Sequence, residues 1–189
     1  SGTLSYVDAV GTVTLNGSGF RVGGLVGDAS GNFSNTDVVG AVSATNSSDV
    51  GGLIGYYSSG TLTTVTTSGG AITGTYNVGG LIGYVLYTAN IANSSYTGTN
   101  VTGGGGDIGT GGLVGYAHDR VLSITNSTVS NGTTRINISS PSAAGGLVGW
   151  TRSGVTITNS SVSNANITGG TYVGGLVGEQ RRGGVYINN

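Results

Sequence analysis

A glycine-rich pentapeptide, Gly-Gly-Leu-Val/Ile-Gly, recurs six times along the 189-residue chain. The copies begin at Gly23, Gly51, Gly79, Gly111, Gly145 and Gly174. Similarity at a period near 30 residues is typical of solenoids, in which each repeat forms one coil and buries its apolar side chains against the next coil. The repeat therefore predicts a single solenoid domain over residues 1–189, with coils ending near residues 27, 55, 83, 115, 149 and 178 and a partial coil over residues 179–189.

The segments between the pentapeptides alternate apolar and polar residues, as in 122–125 and 155–158. This is the period of a β-strand, and a second short apolar run such as 166–168 follows in most copies. Good helix formers are scarce, because the chain contains 40 glycines and is otherwise rich in Ser, Thr and Asn. We therefore predict an all-β fold, a parallel β-helix of about six coils, each with 28–34 residues and three short strands.

Stacked coils place equivalent residues in columns. The pentapeptide leucines predict one buried column, and each buried side chain would contribute roughly 1.5–3 kcal/mol. Its members are Leu25, Leu53, Leu81, Leu113, Leu147 and Leu176. A second column is predicted from Val65, Ile91, Ile124, Ile157 and Ile187.

Two further columns are expected at the surface, with neighbouring members about 4.8 Å apart. An aromatic residue directly follows four pentapeptides, and this candidate surface ladder consists of Tyr56, Tyr84, Tyr116 and Trp150. Asp28 and Glu179 occupy the same position in the first and last copies. Asn93, Asn126 and Asn159 mark a turn where side-chain amides can form a second ladder.

These residues resemble the GLUG motif, which occurs in tandem in large bacterial and archaeal surface proteins, adhesin-like proteins and some IgA-specific peptidases. The resemblance covers the chain from about Val22 to Val185 and includes Asn-Ser steps such as 159–161. It implies a secreted β-solenoid associated with adhesion. It implies no catalytic residue, because the catalytic domain of such peptidases lies elsewhere and this chain has no HExxH sequence.

Charge and cysteine content limit the partners and the metal sites that can be expected. Only 7% of the residues are charged and the formal net charge is −1, so we expect no nucleic-acid partner. No apolar run approaches the length of a membrane span, so we expect no membrane insertion. The chain lacks cysteine, which excludes disulfides and thiolate metal sites. Nothing at Ser1 resembles a signal peptide, and the chain is interpreted as a mature or excised segment located outside the cell, at its surface or secreted.

The sequence shows no cluster of side chains suited to catalysis or to metal binding. The seven carboxylates are scattered over different parts of the solenoid, at Asp8, Asp28, Asp37, Asp49, Asp107, Asp119 and Glu179. His118 is the only histidine, too few ligands for zinc. Residues 104–109 fit the pattern GxGxxG, but no helix or ribose-binding acid follows. We therefore predict no enzyme activity, no catalytic residue, no metal and no cofactor.

A candidate basic corner lies three to five residues beyond each of the last three pentapeptides. It comprises Arg120, Arg152, Arg181 and Arg182. Such a cluster could receive an acidic glycan or a partner subunit. The alternative is an exposed corner whose charges are compensated by Asp119 and Glu179.

Ten Asn-x-Ser/Thr sequences are candidates for N-glycosylation. They begin at Asn16, Asn32, Asn46, Asn93, Asn100, Asn126, Asn131, Asn137, Asn159 and Asn166. A chain this rich in Ser and Thr contains several by chance, and solenoid turns favour Asn for backbone reasons. Modification therefore depends on the host.

The favoured function is a structural or adhesive module of a cell-surface protein. No polar cap is visible, and residues 185–189 stop inside the first strand of a seventh coil, so we expect partners to be other copies, joined end to end or laterally, or a surface glycan or protein.

The alternative is ice binding through Thr rows. Candidate pairs are Thr64 with Thr66, Ser123 with Thr125, and Thr156 with Thr158. Residues 90–92 interrupt these rows, and unequal coil lengths are expected to disturb their spacing. A polysaccharide-degrading β-helix would require clustered carboxylates, which the sequence does not show.

Overall fold

The computed structural model describes residues 2–105 and 108–189. Over these residues it contains twenty-six β-strands, all of whose mutual pairings are parallel, and no helix. The described part accordingly holds no helix long and apolar enough to cross a membrane. The strands stack as a solenoid of about six coils, which confirms the predicted parallel β-helix.

The strands run in chain order as follows: β1 (Gly2–Val10), β2 (Val13–Thr14), β3 (Gly19–Gly23), β4 (Val26–Ala29), β5 (Gly31–Ser43), β6 (Ser47–Gly51), β7 (Ile54–Tyr57), β8 (Gly60–Gly74), β9 (Asn77–Gly79), β10 (Ile82–Val85), β11 (Ala89–Ala92), β12 (Ser95–Thr97), β13 (Asn100–Gly103), β14 (Gly109–Gly111), β15 (Val114–Ala117), β16 (Leu122–Thr125), β17 (Thr128–Val129), β18 (Ile136–Ser140), β19 (Ala143–Gly145), β20 (Val148–Thr151), β21 (Val155–Thr158), β22 (Ser161–Val162), β23 (Ala165–Gly169), β24 (Tyr172–Gly174), β25 (Val177–Gln180) and β26 (Val185–Asn188).

Each coil passes through three sheets in the same order. The long sheet contains β1, β2, β5, β8, β11–β13, β16–β18, β21–β23 and β26. The second sheet contains β3, β6, β9, β14, β19 and β24, and the third contains β4, β7, β10, β15, β20 and β25. The side of the coil in the long sheet is a single strand in β5 and β8, and it divides into three shorter strands from the fourth coil onward.

The unequal repeat lengths are accommodated in turns. The fifth coil carries residues 130–135 between β17 and β18, whereas only residues 98–99 separate β12 from β13 in the fourth coil. The strands on either side keep their register, since Ile91 pairs with Ile124 and Ile124 with Ile157. The stacked faces are therefore continuous despite the variable repeat length.

The pentapeptide leucines form the predicted column. The backbone N–H of each donates to the carbonyl of the next, at 2.9 Å from Leu81 to Leu113 and from Leu113 to Leu147. Four of them have no exposed surface, and Leu25 and Leu176 in the outer coils are partly buried. This column lies between the second and third sheets and anchors the core.

The pentapeptide glycines allow backbones to touch where any side chain would collide. A Cβ atom on Gly80 would lie 2.6 Å from the Tyr96 ring, and one on Gly55 would lie 2.5 Å from the backbone nitrogen of Val22. The first contact brings the turn against the long sheet, and the second brings the third sheet against the backbone of the second. The glycines thus set the narrow separation between these sheets.

The second predicted column is correct except at its first member. Ile91, Ile124, Ile157 and Ile187 are in register, but the third-coil residue that pairs with Ile91 is Leu62 rather than Val65. Thr64 has a φ of +55°, which interrupts the alternation of the strand. Val65 lies beyond this corner and pairs with Thr36.

A left-handed residue marks the same corner in every complete coil. The φ angles are between +46° and +57° at Tyr6, Asn35, Thr64, Asn93, Asn126 and Asn159. Asn tolerates this conformation better than most residues. Of the predicted amide ladder, the contact between Asn126 Nδ2 and Asn93 Oδ1 is formed, at 3.2 Å, and the Asn159 side chain adds no amide hydrogen bond to Asn126 among the described residues.

The serine that follows each of Asn93, Asn126 and Asn159 is buried. The Ser127 hydroxyl donates to the Thr125 carbonyl at 2.8 Å and accepts the backbone N–H of Ser94 at 3.2 Å. Ser94 and Ser160 repeat this arrangement in the neighbouring coils. The Asn-Ser step therefore turns the chain and satisfies the buried backbone groups at the corner.

Candidate functional site

The aromatic ladder lies on the third sheet. Its rings belong to β7, β10, β15 and β20, whose register aligns Tyr56, Tyr84, Tyr116 and Trp150. Tyr56 and Tyr84 are stacked with ring centroids 5.1 Å apart, and Tyr116 and Trp150 are stacked at 4.5 Å. Tyr84 and Tyr116 meet edge to face at 5.1 Å. Burial raises the pKa of the Tyr84 and Tyr116 hydroxyls above the ordinary value of a phenol.

An arginine covers each end of the ladder. The Arg21 guanidinium lies 3.8 Å from the Tyr56 ring centroid and pairs with Asp28. At the other end Arg181 lies 4.7 Å from the Trp150 centroid and pairs with Glu179 at 2.7 Å. Sequence reasoning missed Arg21, because it lies on a strand of the second sheet and seven residues before its partner.

These contacts decide what the ladder can bind. A sugar that stacks on an aromatic residue needs an open ring face, but stacking within each pair covers one face of every ring and the arginines cover the outer faces of Tyr56 and Trp150. His118 also packs against the middle of the ladder, 6.0 Å from Tyr84 and 5.6 Å from Tyr116 between centroids. The ladder presents ring edges rather than a stacking platform.

Asp49 lies beside the ladder on the second sheet, in the column of Arg21 and Asn77. The Asn77 amide donates to its carboxylate at 2.6 Å. Burial raises the pKa of Asp49 to about 6, and the hydrogen bond from Asn77 and the charge of Arg21 oppose that rise. Asp49 is thus a carboxyl group that titrates near neutral pH.

The four arginines of the basic corner have different surroundings. Arg181 belongs to the end of the ladder, and Arg120 is exposed, with its carbonyl accepting a hydrogen bond from the Ser153 hydroxyl. Arg152 and Arg182 line one open cleft of about 250 Å³. The other lining residues are His118, Asp119, Ser153, Gly154 and Gly183.

The candidate glycosylation sites fall into structural classes. Asn93, Asn126 and Asn159 occupy the left-handed corner, where their backbone conformation explains their presence. A second, exposed ladder joins Asn100, Asn137 and Asn166 through amide hydrogen bonds of 2.9 and 3.2 Å.

The remaining four candidate sequences lie elsewhere. Asn131 donates to the Gly98 carbonyl at 2.9 Å, and the Asn32 side-chain oxygen accepts the Thr61 N–H at 3.2 Å. Asn16 and Asn46 are exposed. Modification at all ten sites stays a prediction.

The carboxylates that the structure describes form no cluster suited to a metal ion. Among the described residues no group of three or more His, Cys, Asp or Glu side chains could hold one. Asp8 and Asp37 are paired neighbours on adjacent strands, which the sequence did not reveal because neither lies in a recognisable repeat position. Asp107 and Gly106, and with them the GxGxxG pattern, lie outside the described residues.

The Thr rows differ from those predicted in the third coil. Thr64 lies at the left-handed corner and Thr66 pairs with Ser95, so neither aligns with Ser123 or Thr125. The residues in register are Thr61 and Thr63. The resulting hydroxyl face has two columns: Thr61, Asn90, Ser123 and Thr156, and beside them Thr63, Ala92, Thr125 and Thr158.

The fold and its stacked columns define a parallel β-solenoid built from glycine-rich repeats. Residues 74–102, which include the third pentapeptide, Tyr84 and the Asn93-Ser94 step, match the family model described as the GLUG motif. The match confirms the resemblance and is consistent with a GLUG-repeat protein. Comparisons with curated proteins and with solved structures gave no significant match.

Proposed function

We propose that the chain is a non-enzymatic, extracellular structural and adhesive module of a cell-surface protein. The observation that carries the proposal is the uninterrupted leucine column, which joins six coils through backbone hydrogen bonds into one stiff rod. At about 4.8 Å per coil the rod is about 29 Å long. Such a rod spaces other parts of a protein and presents the same side chains at regular intervals.

The distribution of carboxylates supports a non-enzymatic role. The cleft at the basic corner is lined by a single carboxylate, Asp119, and the adjacent pair Asp8 and Asp37 does not line it. A paired acid and base around one substrate is needed for glycoside hydrolysis.

Binding and turnover can be measured together. The protein is incubated with immobilised polysaccharides, and retained protein and newly released reducing ends are both quantified. We expect retention without release of reducing ends. Release that increases with protein concentration would contradict the non-enzymatic role.

Assembly through the ends of the rod is part of this proposal. Tyr6 and Phe20 are 82% and 77% exposed at one end, and Tyr186 and Ile187 are exposed at the other. β26 pairs with β21 along one edge, and among the described residues no strand pairs with its other edge, which a strand of a second copy would cover. Pairing these edges and burying the apolar side chains favours the joint.

Electron microscopy of the purified protein tests the joint. We expect filaments, and deletion of residues 184–189 should leave separate rods with an unchanged β spectrum in circular dichroism. Filaments that persist after the deletion would show that the joint lies elsewhere.

Ice binding is a second candidate, and the hydroxyl face favours it. Its two columns keep their register across coils of different length, because the extra residues lie in turns away from this face. Neighbouring residues are about 4.8 Å apart across strands and about 6.6 Å apart along them, which makes a regular lattice of small polar groups interrupted at Ala92.

Thermal hysteresis tests this candidate. Replacement of Thr125 and Thr158 by Tyr should abolish a gap between melting and freezing points if the hydroxyl face binds ice, and Thr128→Tyr, on a neighbouring strand outside the face, is the control. Wild-type protein without hysteresis would eliminate the candidate.

A further inference from the structure

The cleft at the basic corner is built by three successive turns. The turns after β15, β20 and β25 stack on one another, as the Arg152 N–H donates to the Ala117 carbonyl at 2.8 Å and the Arg181 N–H to the Thr151 carbonyl at 3.0 Å. The stacking brings Arg152 and Arg182 to the same opening although they lie 30 residues apart. The strands that carry these turns fix the position of the opening.

The acidic groups around this corner already have partners. Asp119 lies 2.6 Å from His118 Nδ1, and Glu179 pairs with Arg181. In the part of the chain that the structure describes, neither Arg152 nor Arg182 forms an ion pair. Two positive charges therefore face a cleft that also contains one carboxylate, Asp119, which lies beside His118.

A contact with the His118 ring holds the Arg152 side chain in place. Its guanidinium lies 3.1 Å from His118 Nε2, which must accept because arginine only donates. On the other side of the ring, His118 Nδ1 lies 2.6 Å from a carboxylate oxygen of Asp119. This contact uses one of the five N–H groups of Arg152, and others remain for a ligand.

The chemistry of the lining selects the ligand. A guanidinium presents a planar fork that matches a carboxylate or sulfate through two parallel hydrogen bonds. A volume of about 250 Å³ is smaller than the roughly 300 Å³ at which sites for drug-sized ligands begin, and is suited to a single sugar ring. Ser153, Gly154 and Gly183 add small polar walls that leave room for sugar hydroxyls.

We propose that this cleft binds the acidic group of a sugar, a carboxylate or a sulfate, and that Arg152 and Arg182 are the residues that hold it. The proposal rests on the adhesive function proposed above and names the class of ligand that one part of the rod recognises. The hydroxyl-rich remainder of the surface carries few charges, so the corner is where an anionic sugar gains most.

Titration of the intact protein with three sugars, followed by two-dimensional NMR, tests this inference. The probes are glucuronic acid, glucose 6-sulfate and glucose, at low ionic strength. We expect the acidic sugars to shift the amide signals of Ser153, Gly154 and Gly183, and glucose to leave them unchanged. A preference between the two acids identifies the oxyanion, and equal shifts with glucose would overturn the proposal.

Matched variants locate the site. Arg152→Gln and Arg182→Gln should each raise the dissociation constant about tenfold or more, because each removes a hydrogen bond to a charged group. Arg135→Gln is the control, since Arg135 is exposed and contacts Asn166 away from the cleft. Arg182 is exposed, so its variant is expected to fold even if Arg152→Gln disturbs His118.

The outcomes separate this inference from the adhesive function. If the Arg135 variant bound the acidic sugars equally weakly, or if the Arg182 variant bound them as well as the wild-type protein, the proposed binding site in the cleft would be refuted. Retention on neutral polysaccharides together with no response to acidic sugars would also refute the cleft while leaving adhesion in place. Release of reducing ends would instead contradict the non-enzymatic role and would leave the binding result intact.

Discussion

The ionisation of Asp49, which lies beside the aromatic ladder, makes the stability of the folded protein depend on pH. In the folded protein its pKa is raised from 3.8 to about 6, chiefly by burial. Between these two values the folded state binds more protons than the unfolded state. The free energy of unfolding contributed by this group is therefore highest below pH 3.8 and is lost as the pH rises through 6.

The substitution Asp49→Asn should remove this dependence. The amide that it introduces cannot ionise, and its oxygen can still accept the hydrogen bond from Asn77. We expect the variant to gain about 2–3 kcal/mol relative to the wild-type protein between pH 4 and pH 7. Urea unfolding at pH 4, 5, 6 and 7 measures this difference, and parallel curves for the two proteins would contradict the assignment.

Leu113 tests the assignment of inward and outward residues. It has no exposed surface and lies between Leu81 and Leu147, whose positions are fixed by backbone hydrogen bonds. Because the site cannot collapse, Leu113→Ala should lower the free energy of unfolding by about 2–5 kcal/mol. Thr158→Ala on the hydroxyl face should change it by less than about 1 kcal/mol. Equal losses in urea unfolding would mean that the faces are wrongly assigned.

Among individual residues, the sequence correctly predicted those that occupy a fixed position relative to the pentapeptide. The leucines and the aromatic residues are adjacent to or within a pentapeptide, so their alignment follows from the pentapeptide itself. Val65 was misplaced because its distance from the next pentapeptide does not reveal the left-handed residue Thr64. Arg21 was missed because its contact with Tyr56 joins two sheets, a separation that sequence spacing does not encode.

The left-handed corner of the long sheet is the element at which a single substitution most affects stability. Asn126 combines a φ of +47° with a side-chain hydrogen bond to Asn93. Asn126→Ala loses that bond and must adopt a conformation that disfavours a Cβ atom, so we expect a loss of about 1–2 kcal/mol in the free energy of unfolding.

Two variants control this prediction, with urea unfolding as the measurement. Asn126→Gly keeps the left-handed conformation at little cost and should be less destabilised than Asn126→Ala. Thr128→Ala, an exposed residue on the adjacent strand, should have little effect. If the two variants were equally destabilised, the loss of the side-chain hydrogen bond, which they share, rather than the left-handed backbone would account for the effect.

The sequence predicted the positions of the strands more accurately than their lengths. Alternation of apolar and polar residues located β16 and β21 correctly. It did not show that β5 and β8 each continue through the corner as one strand, because the left-handed residue disturbs the alternation without ending the pairing. The cleft was also unpredictable, since it depends on how three turns stack rather than on any one of them.

At the scale of the whole molecule, the rod is a row of coils that contact mainly their neighbours. Leu53, Leu81 and Leu113 have no exposed surface, whereas Leu25 and Leu176 in the outer coils are only partly buried. An inner coil is held from both sides and an outer coil from one. The free energy of local unfolding should therefore be lowest in the outer coils and highest in the middle coils.

Amide hydrogen exchange measures this gradient. We expect the backbone amides of β15 to exchange more slowly than those of β1 and β26, because opening β15 disrupts contacts with both β10 and β20. The measurement is made on the deletion variant lacking residues 184–189 as well as on the intact chain. Dilution should leave the protection of β15 unchanged in both proteins.

The ends respond differently if copies join. In the intact chain a joint covers the edge of β1 with a second copy, so protection of β1 should increase with protein concentration, as for any association that involves only the folded state. The deletion variant lacks the strand that makes the joint, and its β1 should exchange rapidly at every concentration. Concentration-independent exchange at β1 in the intact chain would contradict end-to-end assembly, and equal protection along the rod would contradict the row of coils.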